Sequence, residues 1–286
     1  MPVNHSAVLD GGRKRIWERL LGIAVTLPPV ALVCTEYVYP FLLSVRSSLQ
    51  KNGRFSAENY AYALSVYGQD IVFTIFVSAL SVVLVLILSV AIGGYLTLHR
   101  NRFWEFLFKI PLFIPFVVVG HAMRTFLAPK GLLNSLLSQI GAVDINNPPS
   151  FIYGAAGIVI ALTWKQFSFA LLLVMSAFES VDHSYLEAAR TFGAGTGRQI
   201  LNFLIPLSRS SIGVAAVLIL TSFLQNFSVV MMMGDSGGAK HIMVDIYSII
   251  TYLNDLPLAN ALGVISYLLA LAPAILYLRG ELTKHA

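Results

Sequence analysis

Residues 180–207 read SVDHSYLEAARTFGAGTGRQILNFLIPL, a polar and well-punctuated stretch between two long apolar segments. Ser184 and Glu187 have the spacing of a capping box, in which each side chain bonds to the backbone amide of the other residue. The spacing predicts a short helix from about Tyr185. Gly193 is expected to end it, because glycine readily adopts the positive φ found just past many helices.

The predicted helix has two distinct faces. Helical periodicity places Tyr185, Ala189 and Phe192 on one face, and Glu187 and Arg190 on another. A two-helix elbow of this kind, between membrane spans, is typical of a contact surface.

A second short helix is predicted over 198–204. Pro206 is expected to stop it, because proline lacks the amide that a helix interior needs. Ser208, Ser210 and Ser211 are candidates to cap the long helix that follows.

The composition excludes a water-soluble fold. Of the 286 residues, 57% are hydrophobic and only 12% are charged, against about 25% charged in soluble domains. The chain is therefore predicted to be an all-α integral membrane protein. The lone cysteine, Cys34, excludes an internal disulfide, and the net charge of +5 does not suggest nucleic-acid binding.

Six apolar segments are long enough to cross a bilayer, which takes about 20 residues. They predict a transmembrane domain over 17–280, flanked by short tails at 1–16 and 281–286. Asn59 and Tyr60 are expected in a short surface helix of the first outer loop. The six predicted spans are 17–45, 71–98, 104–126, 151–178, 212–233 and 256–278, and Pro111 and Pro115 are expected to interrupt the third.

The basic residues orient these spans. Lys and Arg concentrate in the two tails, in the loop 99–102 and in the elbow, and are fewer in the intervening loops. The positive-inside rule then places both termini and the elbow in the cytoplasm.

The elbow resembles the EAA loop of permease subunits of binding-protein-dependent ABC importers. The match consists of Glu187-Ala188-Ala189, Gly193-Ala194 and Ile205-Pro206 at the family's spacing. The resemblance implies a type I importer permease fold of six transmembrane helices, with a cytoplasmic coupling helix between helices 4 and 5. The implied coupling residues are Tyr185, Leu186, Glu187, Ala188, Ala189, Arg190, Phe192, Gly193 and Pro206.

Within that elbow, the resemblance gives the residues different roles. Tyr185, Leu186, Ala189 and Phe192 would supply apolar contact with an ATPase, and Glu187 would meet its basic residues. A second interpretation is that Glu187 only caps its own helix. The two interpretations are compatible.

The chain itself is not expected to hydrolyse ATP. Its glycine-rich run 193–198 lacks the Lys-Ser/Thr of a Walker A loop. No cofactor or metal is expected in this chain, and ATP and Mg²⁺ would be bound by a partner ABC ATPase dimer. The resemblance further implies a second permease subunit, either different or identical, an external solute-binding protein, and residence in a bacterial inner membrane.

Polar residues inside the spans are candidates for the solute pathway, since ionisable groups there are costly. Glu105 and Lys109 have the spacing to pair with each other. Lys165, beside Trp164, would either face a water-filled cavity or be buried. A second set is predicted on one face of span five; the alternative for its amides is helix-to-helix hydrogen bonding. That face comprises Thr221, Gln225 and Asn226, and Phe223 is a further candidate nearby.

The solute is less well defined by the sequence. The residues around the EAA motif resemble the branch that serves polyamines, ferric iron and phosphonates. Lys165 would repel a polycation if it faced the cavity, which leaves an anionic organic solute open. An ion-coupled secondary transporter working without an ATPase is the alternative function.

Overall fold

A computed structural model describes residues 19, 21–51, 53–152, 154–233 and 238–285. Within these residues the protein is helical, apart from one short antiparallel hairpin formed by β1 (Gln50–Lys51) and β2 (Arg54–Phe55). The predicted tail 1–16, the start of the first span at 17 and Ala286 lie outside the described residues.

Four helices are long and apolar enough to cross a membrane. They are α1 (Leu21–Ser48), α2 (Glu58–His99), α6 (Ala155–Glu179) and α12 (Leu256–His285). Two further spans are bent pairs of helices, which makes six and confirms the predicted fold class. The remaining helices are α3 (Arg102–Phe113), α4 (Phe116–Leu127), α5 (Leu132–Gln139), α7 (His183–Thr191), α8 (Thr196–Leu207), α9 (Arg209–Leu224), α10 (Ser228–Met233) and α11 (Ile242–Leu253).

The third span is broken where the sequence predicts an interruption. Helix α3 ends in a 3₁₀ turn over Ile110–Phe113, and the chain then bends by 101°. Pro111 and Pro115 flank the break, and neither can donate a backbone hydrogen bond.

The fifth span differs from its prediction in two places. The chain bends by 80° between α8 and α9. The predicted continuous helix over 212–233 is wrong, because α9 ends at Leu224 and α10 begins at Ser228. Apolar composition identifies a span but does not show such breaks, since apolar residues flank them on both sides.

The first outer loop also differs from its prediction. Asn59 is not in a separate surface helix but in the first turn of the 42-residue helix α2. It is buried, and its Nδ2 donates to the carbonyl oxygens of Ser48 (2.9 Å) and Gln50 (3.0 Å). These bonds satisfy a buried amide, which explains how a polar residue can begin a long helix there.

The core lies where α2 and α6 pack along each other. Gly93 makes this close approach possible, because a Cβ there would meet the side chains of Leu171 and Met175 at 3.2 and 3.3 Å. The largest apolar cluster extends from this seam to α9 and α10. Its fully buried members include Val77, Val85, Leu162, Phe223 and Val229.

Helix α1 lies at the edge of this core. Its apolar side chains are largely exposed, and it packs along α12, with the rings of Phe41 and Tyr267 4.6 Å apart. In a membrane, lipid or a second subunit would cover such a surface.

Candidate functional site

Helix α7, the first helix of the elbow, is capped by Asp182. Its Oδ1 accepts a hydrogen bond of 2.9 Å from the amide of Ser184. The predicted capping box at Ser184 and Glu187 is therefore wrong, and the helix begins at His183. Asp182 lies two residues before Ser184, the spacing at which a short acidic side chain can accept a hydrogen bond from the amide of a helix's first turn. The backbone amide of Ser184 holds the pKa of the Asp182 carboxyl below its ordinary value of 3.8.

The end of α7 follows the prediction. Gly193 has φ +78°, a conformation that residues with a Cβ rarely adopt. The next amide, that of Ala194, donates to the carbonyl oxygen of Ala189 at 2.9 Å. The turn thus binds the end of the helix to the residues that follow it.

One face of α7 is buried in the permease itself. Leu186 and Ala189 are each only 4% exposed. Leu186 packs with Phe178 of α6 and Ile200 of α8 in a shared apolar cluster. These two residues therefore do not belong to the exposed contact surface predicted from the sequence. The predicted face of Tyr185, Ala189 and Phe192 is divided, because Ala189 points inward.

The opposite face of α7 is open. Tyr185 is 55% exposed and Phe192 is 91% exposed. Glu187, Ala188 and Arg190 lie exposed beside them. We call these five residues the exposed elbow face. Two uncovered aromatic rings beside a carboxylate and a guanidinium have the composition of a protein contact surface.

Glu187 is not neutralised within the described chain. Its carboxylate forms no ion pair with Arg190 or with any other described residue; the ion pairs there are Lys51–Glu58 and the predicted Glu105–Lys109. Glu187 and Arg190 instead line a small cavity of about 90 Å³ between α7 and the end of α2. Both charges are therefore available to a partner.

The second helix of the elbow is longer than predicted. Helix α8 runs through Pro206 to Leu207, and a π-helical turn over Ile200–Leu204 precedes the proline. This turn changes the hydrogen-bond spacing just before a residue that cannot donate. The chain turns at Ser208 instead, whose side chain caps no helix and donates to Ala177.

Hydrogen bonds tie the elbow to two membrane spans. The Ser208 hydroxyl bonds to the last turn of α6 at 3.0 Å, and Thr196 lies 3.1 Å from Nε2 of His99 at the end of α2. Within the elbow, Gln199 Nε2 donates to the carbonyl oxygen of Ala194 at 2.7 Å. Together with the packing of Leu186, these bonds hold the two elbow helices against α2 and α6.

The predicted pathway residues of span five do not form one face. Phe223 is fully buried in the main core. Asn226 is buried, and its Oδ1 accepts from the amide of Val229 as α10 begins (3.1 Å). Thr221 donates to the carbonyl oxygen of Ala270 on α12 at 3.5 Å. Only Gln225 points away from these contacts. The single-face prediction fails because the helix ends between Thr221 and the two amides.

Gln225 lies in a groove between α1, α9, α11 and α12, with a volume of about 260 Å³. Its polar walls are uncharged. Sequence analysis did not identify the other polar residues of this groove. Asn260 could have been found, because an amide side chain within an apolar span indicates a buried or solute-facing polar site. The lining includes Phe41, Ser44, Gln225, Asn260, Ser266 and Tyr267.

The two predicted pathway residues of span four also separate. Trp164 is 39% exposed and lines apolar clefts beside α2 and α4. Lys165 is buried at 4% exposure and contacts backbone rather than a cavity. Among the described residues, no group of three or more His, Cys, Asp and Glu side chains is placed to hold a metal ion.

Comparison with known proteins agrees with this architecture. Residues 71–279 match the family model described as "Binding-protein-dependent transport system inner membrane component". The chain is 26% identical over 287 residues to the sulfoquinovosyl glycerol transport system permease protein SmoG of Agrobacterium fabrum, covering 93% of this chain and 92% of that protein. It is also 26% identical over 214 residues to the spermidine/putrescine transport system permease protein PotB of Escherichia coli K12, covering 70% and 72%.

Among solved structures, a chain of a bacterial ABC transporter involved in the import of the acidic polysaccharide alginate has the same fold. The TM-score is 0.79 at 20% identity, over 93% of this chain and 96% of that one. With a family model that covers most of its length, this chain belongs to the binding-protein-dependent transport system inner membrane components, the permease subunits of type I ABC importers.

Proposed function

We propose that this chain forms part of the membrane pathway of an ATP-driven importer, and that α7 is its coupling helix. The observation that carries the proposal is the division of α7 into two faces. Leu186 and Ala189 fix the helix to α6 and α8, while Tyr185 and Phe192 are exposed. A helix held on one side and open on the other can transmit the movement of a docked partner.

The partner on the exposed elbow face is proposed to be a cytoplasmic ABC ATPase dimer. Phe192 and Tyr185 would enter an apolar groove, and Glu187 would meet basic residues there, consistent with its lack of an ion pair among the described residues. ATP and Mg²⁺ belong to that dimer, and this chain is a non-catalytic subunit. The orientation with termini and elbow in the cytoplasm follows from the distribution of basic residues.

Two further partners complete the proposed assembly. A second permease subunit, different or identical, would cover the exposed apolar surface of the spans. A solute-binding protein would deliver the solute on the other side of the membrane. The alternative of an ion-coupled secondary transporter gives no account of the exposed elbow face.

The groove around Gln225 is the proposed solute contact. Its polar groups are amides and hydroxyls, with the aromatic rings of Phe41 and Tyr267 beside them. Such walls suit a hydroxyl-rich solute of the sugar type, which exchanges its water for hydrogen bonds and ring contacts. A polyamine would need carboxylates, and the described lining holds none. Of the relatives above, SmoG is named for sulfoquinovosyl glycerol and PotB for spermidine and putrescine, so sugar-type and polyamine solutes are the two candidate classes.

The argument for an anionic solute loses its basis. It required Lys165 to face the cavity, and the Lys165 ammonium instead contacts the backbone of α3. Trp164 and Thr221 likewise lie outside the groove.

Co-purification tests the proposed docking. The ATPase should remain with the wild-type permease and be lost from Phe192→Asp, because a carboxylate cannot be buried in an apolar groove without a partner. Phe55→Asp is the matched control, since Phe55 is 77% exposed on the hairpin that the proposed topology places across the membrane. Equal retention of the ATPase by both variants would contradict the proposal.

A further inference from the structure

Lys165 lies in the middle of a membrane span and is buried. It sits in α6, 4% exposed, next to Trp164, which faces outward. An ammonium group in an apolar span is costly unless its hydrogen bonds are satisfied. The contacts of Lys165 therefore indicate why the sequence places a charge there.

All of these contacts belong to the break in the third span. Nζ donates to the carbonyl oxygens of Pro111 (2.9 Å) and Leu112 (3.4 Å), and it lies 4.7 Å from the ring centre of Phe116. Two backbone carbonyls and an aromatic face thus surround the ammonium group, which meets no carboxylate there.

The carbonyls need such a donor because α3 stops inside the membrane. The last carbonyls of a helix have no intrahelical partner, and a helix C-terminus carries partial negative charge. Pro115 lacks the amide that a continuing helix would have supplied. The Pro111 carbonyl accepts from the amide of Ile114 at 3.3 Å, and the Lys165 ammonium adds a shorter bond of 2.9 Å and a favourable charge.

A further bond joins the same two helices. The hydroxyl of Ser168, one turn along α6 from Lys165, donates to the carbonyl oxygen of Phe108 at 2.6 Å. The rings of Phe108 and Phe167 meet edge to face with centres 5.7 Å apart. Three hydrogen bonds and a ring contact thus hold the end of α3 against α6.

The same helix leads into the elbow. Helix α6 ends at Glu179, and α7 begins at His183. Leu186 of α7 packs against Phe178 of α6. The elbow and the break in span three are therefore both attached to helix α6.

We propose that Lys165 is a positioning residue that binds the broken end of α3 to α6, so that displacement of the elbow moves α3 and the α3–α4 break as one body with α6. This role rests on the proposed coupling function of α7. Lys165 contacts no solute in this account. The bend at 111–115 is then the joint at which the outer part of span three changes direction.

The test is a distance measurement between two spin labels, one on the elbow helix α7 and one at the broken end of α3. Labels at Thr191→Cys, exposed on α7, and Phe113→Cys, 80% exposed at the end of α3, are placed in a Cys34→Ser background. Distances are measured in the permease alone, and in the complex with its ATPase before and after a non-hydrolysable ATP analogue with Mg²⁺. The variants are Lys165→Met, which removes the donor, and Lys165→Arg, which keeps it.

The wild type and Lys165→Arg should give one narrow distance that the nucleotide leaves unchanged. Lys165→Met should give a broad distribution of distances in place of the single narrow one, and the nucleotide should shift the mean of that distribution. If Lys165→Met keeps the wild-type distribution in every condition, the proposal is overturned. If Lys165→Met broadens the distribution but the nucleotide shifts it no more than in the wild type, Lys165 only stabilises the break and the transmission role is overturned.

Two further comparisons keep the result interpretable. Ser168→Ala removes only the bond to Phe108, and it should broaden the distribution less than Lys165→Met. If Lys165→Met does not fold, Lys165→Leu takes its place, because it also removes the donor. The measurement without ATPase separates the two proposals. If Lys165→Met broadens the distance distribution in the permease alone, the contact at the break is supported. If the wild type also binds no ATPase, the coupling function is contradicted while that contact stands.

Discussion

The hydroxyl of Ser208 donates a buried hydrogen bond of 3.0 Å to the carbonyl oxygen of Ala177. This bond joins the two sides of the elbow, since Ala177 lies in the last turn of α6 and Ser208 at the bend before α9. The spans that enter and leave the elbow are therefore connected directly, as well as through α7 and α8.

Ser208→Ala should weaken this connection. The Ala177 carbonyl keeps its bond from the Ser180 hydroxyl at 2.7 Å, so only one hydrogen bond is lost, which is expected to cost about 0.5–1.5 kcal/mol of unfolding free energy. Thermal unfolding of the purified permease measures the change. Ser211→Ala, at an exposed position of the same helix, should leave the unfolding temperature unchanged. Similar losses in both variants would contradict the assigned role of the bond.

Asp182 should make the start of α7 sensitive to acid. Its pKa is lowered in the folded protein, so its contribution is fully present above the ordinary value of 3.8 and is lost as the pH falls through the folded value. The protection of the first amides of α7 against hydrogen exchange, such as that of Ser184, should fall in that range relative to the intrinsic exchange rate at the same pH. Asp182→Asn keeps an acceptor without a titrating group. Its residual protection should not follow this pH dependence, and an identical profile would refute the assignment of the cap.

Gly94 should not tolerate a larger side chain. A Cβ there would lie 2.8 Å from two side-chain carbons of Ile200, whose β-branched side chain has little freedom to move. Gly94→Ala is expected to destabilise the permease by about 1–3 kcal/mol, measured by thermal unfolding. Ile200→Ala in the same chain should recover much of that loss. Gly68→Ala, with no neighbour within 4 Å on the same helix, is the control; it should be neutral or stabilising.

His241 predicts a second pH dependence, at the start of α11. Burial of the imidazole lowers the pKa of His241 to about 4, and the nearby backbone of Phe223 offsets this only in part. The unfolded chain gains its proton near 6.5, so stability should fall as the pH drops from about 6.5 to 4 and then level off. The loss is of the order of 3 kcal/mol.

His241→Asn tests this account of the buried histidine. Nδ1 of His241 accepts from the amide of Met243 at 3.3 Å, and an asparagine can supply the same acceptor without titrating. The unfolding temperature of the variant should lose much of its dependence on pH between 6.5 and 4. An unaltered dependence would exclude His241 as its source.

The number and order of the spans could be predicted from the sequence, because a bilayer requires about 20 apolar residues for each crossing. The breaks were harder to predict. Pro111 and Pro115 marked the break in span three. No such signal marked the end of α9 at Leu224, since Gln225 and Asn226 have the spacing from Thr221 of a continuing polar helix face. The continuation of α2 back to Glu58 depends on the hairpin carbonyls that Asn59 binds.

The elbow was predictable in place but not in detail. Gly193 marked the end of α7 correctly. The direction of Ala189 could not be predicted, because it depends on where α6 and α8 lie. The environment of Lys165 was also hidden. Its partners are carbonyl oxygens more than 50 positions earlier in the chain, and carbonyls are the same in every sequence.

Site-specific cross-linking from Phe192 tests the central claim most directly. A photoreactive maleimide is attached to Phe192→Cys in a Cys34→Ser background, and the complex is irradiated in membranes with its ATPase present. Phe55→Cys carries the same group on the hairpin as the control. We predict an adduct between permease and ATPase from Phe192→Cys and none from Phe55→Cys. No adduct from Phe192→Cys in an assembled complex, or equal adducts from both positions, would contradict the assignment of α7 as the coupling helix.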